Sequence, residues 1–98
     1  MIRMEAEIGK VTHYYSHLNV AVLQLTDHLK VGETIHFLGH TTDFIQKVGS
    51  MEINHHHVVA VNPGDNVALK VIEPVREHDT IYRVTEETLE PYIGRETI

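Results

Sequence analysis

The 98-residue sequence contains no cysteine and no tryptophan, two serines, and eight lysines and arginines against fourteen aspartates and glutamates. Without cysteine the chain holds no disulfide, no thiolate-ligated iron–sulfur cluster and no thiol nucleophile. Neither Ser16 nor Ser50 lies in a GxSxG context, and there is no GxxxxGK[ST] run to cradle a nucleotide phosphate. No stretch reaches the roughly 18 apolar residues that a membrane span requires, and the start "MIRMEAEIGK" has no apolar leader core. The expected location is therefore the cytoplasm. A formal charge of −6 with neutral histidines argues against strong nonspecific phosphate binding, which needs a basic face.

What the chain does have is histidine. Nine imidazoles would carry the formal charge from −6 to +3 if all were protonated near pH 6.5. The hydrophobic fraction of 42% and charged fraction of 22% are those of one ordinary globular domain.

No helical periodicity appears before the C-terminal segment. Short β-rich runs recur instead between Gly, Asp and Asn turns, at 5–13, 19–25, 34–39, 44–48 continuing as 51–54, 66–72 and 80–84. The pattern predicts an all-β domain, a small closed or nearly closed Greek-key β-barrel of six to seven strands over 1–85, followed by an acidic tail at 86–98. One helical turn is the most structure expected of that tail. Alternation puts Val67, Leu69 and Val71 on the core face, with Ile35 and Phe37, and leaves His36 exposed or at a rim. The phase changes between Phe44/Val48 and Met51/Ile53, so a β-bulge is expected near Gly49 and Ser50. "KVGE" and "NPGD" each place Gly where a positive φ is easy, followed by an acid able to bond back to the turn.

The run "NHHH" at 54–57 is the most conspicuous local feature. Zinc needs three or four converging ligands, and an extended 54–58 would set His55 and His57 at i and i+2, with His13 or His40 as a distant third. Nothing fixes that convergence, so the run reads as a solvated loop and no metal is expected. Glu73, Glu77, His78 and Asp79 read as a polar connection rather than an acid–base pair. In "THYYSH", at 12–17, two tyrosines between two histidines form a possible stacking platform, one ring packing on the barrel and the other facing out.

The order of these motifs over 8–84 resembles the second-domain β-barrel of elongation factor Tu and its relatives, with the "GKV", "KVGETI", "VGSMEI" and "VNPGDNV" segments in place. A nearer likeness is to the C-terminal barrel of the collagenase-like peptidase family, carried by "VTHYY", "GHTTDF" and "SMEINH". Members of that family are linked to RNA hydroxylation. The resemblance implies an accessory barrel. In translation factors such a barrel contacts RNA or docks on the neighbouring GTPase domain.

The resulting expectation is a stand-alone, non-enzymatic module, without cofactor, that binds tRNA, rRNA or an RNA-associated protein. His13, Tyr14, Tyr15 and His17 would form one edge, His40, Thr41 and Thr42 the facing loop, and Lys47 a phosphate contact. DNA, membrane and nucleotide are not expected partners. The alternative is a docking subunit acting in trans on a collagenase-like peptidase or an RNA-modifying enzyme, and a more remote one is a histidine-based metal-binding protein resting on His55 and His57.

Overall fold

A computed structural model describes residues 2–87. Among them are ten strands: β1 Ile2–Tyr15, β2 Val20–Leu25, β3 Leu29–Lys30, β4 Thr34–Leu38, β5 Asp43–Lys47, β6 Met51–Ile53, β7 His56–Val58, β8 Ala60–Val61, β9 Asn66–Lys70 and β10 Thr80–Glu87. The all-β expectation holds, but the six to seven strands become ten. The run 44–54 is two strands, and β3, β7 and β8 are two or three residues long, too short to leave a period.

Eight strands form one sheet in the order β5-β4-β10-β1-β2-β9-β6-β7, and β3 pairs with β8 apart from it. The last strand returns to lie against the first, a Greek-key return. β5 and β6 stand near opposite ends of this order, yet only residues 48–50 join them. In a flat sheet, six spacings of about 4.8 Å would hold them about 29 Å apart. Four Cα steps reach at most about 15 Å. The sheet therefore rolls into a barrel-like shape whose two ends approach without a shared ladder.

A side chain bridges that seam. Buried Gln46 on β5 donates through Nε2 to the Lys70 carbonyl at 3.0 Å, and its Oε1 accepts from the Ile72 amide at 2.9 Å. One carboxamide thus supplies both halves of a missing ladder rung. The expected bulge at Gly49-Ser50 is instead a strand break: the phase does change there, because the chain leaves one end of the sheet for the other.

Apart from Gln46 at the seam, the inner surface of the strands is apolar, with Ile8, Leu23, Ile35, Phe37, Leu69 and Ile81 fully buried. Phe37 and Phe44 face each other across β4 and β5 and stack at 4.9 Å. Gly9 is required where β1 crosses β2, because a Cβ there would collide with the Gln24 carbonyl.

Three turns share one design. In residues 30–33 and 62–65 the third position is Gly32 (φ 95°) or Gly64 (φ 92°), and the acid that follows bonds back to the first residue's amide: Glu33 Oε1 to Lys30 N and Asp65 Oδ2 to Asn62 N, each at 2.8 Å. Residues 76–79 repeat it with Asp79 Oδ2 on the Arg76 amide at 2.8 Å. There the glycine position holds His78 at φ 77°. This segment is the polar connection expected from Glu73, Glu77, His78 and Asp79, although Asp79 is buried rather than solvated.

β10 runs through Glu87 in register with Ile2, two residues into the segment read as the tail. Residues 88–98, with the expected helical turn, lie outside the described residues.

Candidate partner-binding surface

The two puzzling stretches of sequence meet on one outer face. Along β1, Tyr14 turns inward and packs against the core, while His13 and Tyr15 face out with ring centroids 4.3 Å apart. Thr12 is the extra residue of a register shift between Val11 and His13, which tilts this strand end. The register then sets His13 opposite Val22 on β2, Val22 opposite Ala68 on β9, Ala68 opposite Glu52 on β6, and Glu52 opposite His57 on β7. One row up, Tyr15 faces Val20 and Val20 faces Lys70.

Local turns hold both ends of this row. At 15–18 the Leu18 amide donates to the Tyr15 carbonyl at 3.1 Å, and Asn19 takes a left-handed conformation at φ 56° that its short polar side chain tolerates. Lys70 Nζ then donates to the Leu18 carbonyl at 3.2 Å, fixing the loop that carries His17 and Leu18. On the other side Asn54 (φ 51°) and His55 (φ 67°) are the two central residues of a tight β6–β7 hairpin, the type I′ geometry.

The His run is therefore not a loop throughout. His55 is a turn residue, and His56 and His57 are strand residues exposed to solvent. The extended 54–58 needed for an i, i+2 ligand pair is broken at His55, and no three His, Cys, Asp or Glu side chains converge for a metal among the described residues. His57 instead lies 3.6 Å from Glu52, and His13 lies 3.6 Å from Glu77.

The result is an apolar floor with an imidazole rim. Tyr15, Leu18, Val20, Val22 and Ala68 line a depression of about 550 Å³ with His55 and Glu52 at its border. A second of about 440 Å³ shares Leu18, Val20, Glu52 and Ala68 with it and adds His17 and Lys70. Leu18 is 59% exposed and Tyr15 47%, so two large apolar side chains stand in water here.

The remaining residues named from sequence do not join this face. Tyr14 lines a different depression of about 480 Å³ with Thr41, Thr42, Phe44, Pro74 and Arg76. Thr42 is buried, and its carbonyl accepts from the Gly39 amide at 2.8 Å. Adjacent His40 is exposed and does not line that depression. Lys47 stands at the far end of β5 opposite Thr34, about 13 Å along the strand from Asp43. The expected edge, facing loop and lysine are thus not one site: Tyr14 joins Thr41 and Thr42 in one depression, His17 and Tyr15 line the other face, and Lys47 stands apart from both.

The signal that sequence reasoning passed over is in β2, "VAVLQL". Its inward residues Ala21, Leu23 and Leu25 are apolar, but so are its outward residues Val20 and Val22. A strand apolar on both faces calls for cover on both.

The strongest electrostatic cluster lies on β1, β4 and β5 instead. His36 Nδ1 is 2.8 Å from Glu5 Oε1 and its Nε2 is 2.6 Å from Asp43 Oδ1, so two carboxylates hold one ring. With both carboxylates ionised, both ring nitrogens donate and the imidazole is a cation. It lies on the outer face, opposite Ile35 and Phe37 as alternation expects, but its side chain is only 12% exposed because Glu5 and Asp43 cover the ring. Burial pulls its pKa down, but the hydrogen bonds and charges of Glu5 and Asp43 outweigh burial and raise it above the usual 6.5. The hydrogen bond from His36, with help from Arg3, lowers the Glu5 pKa against a smaller burial effect. Asp27 is lowered by the His28 amide and by the Arg83 guanidinium at 2.8 Å. The Glu5–His36–Asp43 cluster ties three strands together, and no serine stands beside it to be activated.

The arrangement of strands matches a solved domain. Over 78% of this chain and 89% of the other, the structure superposes with a TM-score of 0.74 and 22% identity on the C-terminal domain of a Geobacillus thermoleovorans protein assigned as a U32 peptidase. The chain has the fold of that C-terminal domain. In sequence it is 40% identical over 81 residues to an uncharacterised protease of Methanocaldococcus jannaschii, covering 82% of this chain and 20% of that protein. It is 32% identical over 83 residues to a collagenase of Porphyromonas gingivalis, covering 83% of this chain and 23% of that one. The chain thus spans about a fifth of the length of the curated relatives it matches. No family model matches it. These relatives bear out the collagenase-like resemblance and are silent on the translation-factor one. Among the described residues no helix is long and apolar enough to cross a membrane.

Proposed function

We propose that this chain is an accessory, non-catalytic barrel that docks on a collagenase-like peptidase and serves its action by contact rather than chemistry. The observation that carries this reading is the outer face of β2. Val20 and Val22, together with Leu18, Tyr15 and Ala68, present apolar surface on a strand whose inner face already fills the core. The collagenase-like relatives, matched over a fifth of their length, supply the class of partner.

A second reading keeps RNA as the partner, favoured by the exposed Tyr15 ring against His13. The charge of −6 weakens it. Affinity capture from native extract, with and without nuclease, separates the two. A collagenase-like peptidase retained after nuclease supports docking. Retained RNA that dissociates steeply with salt, and no such peptidase, overturns it in favour of the RNA reading.

A further inference from the structure

The floor between the two histidine-bearing hairpins is a contact surface for the proposed partner. Val20, Val22 and Ala68 lie in register across β2 and β9, flanked by Tyr15 and Leu18. His17 and His55 border this floor with Glu52, Lys70, Asn54 and Asn66, and the register sets His13 beside Val22 and His57 beside Glu52 at its two outer sides. An imidazole is a flat ring with two nitrogens that can each find a hydrogen-bond partner, so a border of this kind is buried at less cost than a ring of lysines or carboxylates. Lys70 is already paired with a carbonyl, and Glu52 lies beside His57. A phosphate backbone would find little fixed positive charge here, whereas a protein surface with an apolar centre would find a matching floor and hydrogen-bonding edges.

We infer that this face is where the remaining four-fifths of a collagenase-like peptidase sits against the barrel. The inference rests on the proposed docking function and names its surface. The occupant follows from the length relation: the relatives carry about four-fifths of their chain beyond the part matched here, and the barrel leaves this apolar face to be covered.

The test uses a chimera in which the matched segment of the Methanocaldococcus jannaschii protease is replaced by this barrel, compared with the 98-residue chain alone. Both are treated with diethylpyrocarbonate, and each histidine's modification rate is read by mass spectrometry. The expected result is that His13, His17 and His55 react at least tenfold more slowly in the chimera, while His28 and His40, which lie elsewhere, keep their rates. Equal rates at the three rim histidines overturn the inference, and so does protection confined to His28 and His40. In the latter case the barrel docks but through another face, so the docking reading itself survives.

Val22→Asp provides the second arm. Val22 is half-buried on the outer face, so the isolated variant stays folded with a melting temperature within a few degrees of the parent, while in the chimera the three histidines regain their free rates. Retained protection in Val22→Asp overturns the inference. So does concentration-dependent protection in the isolated chain, which would mean that a second copy covers the face. Nuclease-sensitive protection would hand the face to RNA.

Discussion

Replacing His36 by Gln tests the charge pattern most sharply. In the native protein the ring is held by Glu5 and Asp43 at 2.8 and 2.6 Å. A hydrogen bond to a charged group contributes about 1.5–3 kcal/mol. The Asp43 side chain is 73% exposed, so its share is on the scale of a surface pair, and the ring's own desolvation opposes both. Gln keeps one donor nitrogen for one carboxylate but loses the charge and the opposed second donor nitrogen. The expected cost near pH 6 is about 1–2 kcal/mol, or a fall of about 5–15 °C in Tm for a domain of this size. The pH dependence follows from the directions of the shifts. The His36 pKa is raised in the fold, so its contribution is complete below the unfolded value near 6.5 and is lost as pH rises through the folded value. The Glu5 pKa is lowered, so its contribution is complete above about 4.5 and is lost as pH falls through its folded value. Circular-dichroism melts from pH 4 to pH 9 should show native stability highest between about 4.5 and 6.5 and falling on the alkaline side. In His36→Gln the alkaline fall should disappear. A variant that keeps the parent's alkaline fall, or a parent whose stability rises from pH 6 to pH 9, would refute the reasoning.

Three further outcomes are expected. Gln46→Leu fills a similar volume but strands the Lys70 carbonyl and Ile72 amide, so denaturant unfolding should show a loss of about 1–3 kcal/mol and the Ile72 amide should exchange faster. His78→Gly should raise stability by about 1 kcal/mol in the same assay, because φ 77° strains any residue with a Cβ. Gly9→Ala should cost about 1–3 kcal/mol by forcing β1 away from the Gln24 carbonyl, measured as a lower Tm.

How much of this was legible in the sequence depended on whether one residue carried the signal. Gly32 and Gly64 announced their turns and the acids that lock them. The turn at 76–79 was hidden because His78 occupies the position that glycine marks elsewhere. Alternation correctly turned Val67, Leu69, Ile35 and Phe37 inward. It put His36 on the outer face, where the structure has it, but alternation does not tell that neighbours on β1 and β5 will cover it there. The strand break at 48–50 and the Gln46 bridge depend on which strands meet around the barrel, a relation between residues 16 to 24 apart. The candidate surface was half visible: "THYYSH" and "NHHH" stood out, but only the register across β1, β2, β9 and β6 puts them around one floor. Tyr14, expected on the edge with His13, Tyr15 and His17, instead lines a separate depression with Thr41 and Thr42 of the expected facing loop.

Hydrogen–deuterium exchange on the chain alone and in its nuclease-treated complex with a collagenase-like peptidase would test the docking account most directly. Protection concentrated in peptides spanning 13–24 and 52–58, with 27–33 and 39–42 unchanged, is the predicted result. A stable complex in which 13–24 and 52–58 exchange as fast as in the free chain would contradict it.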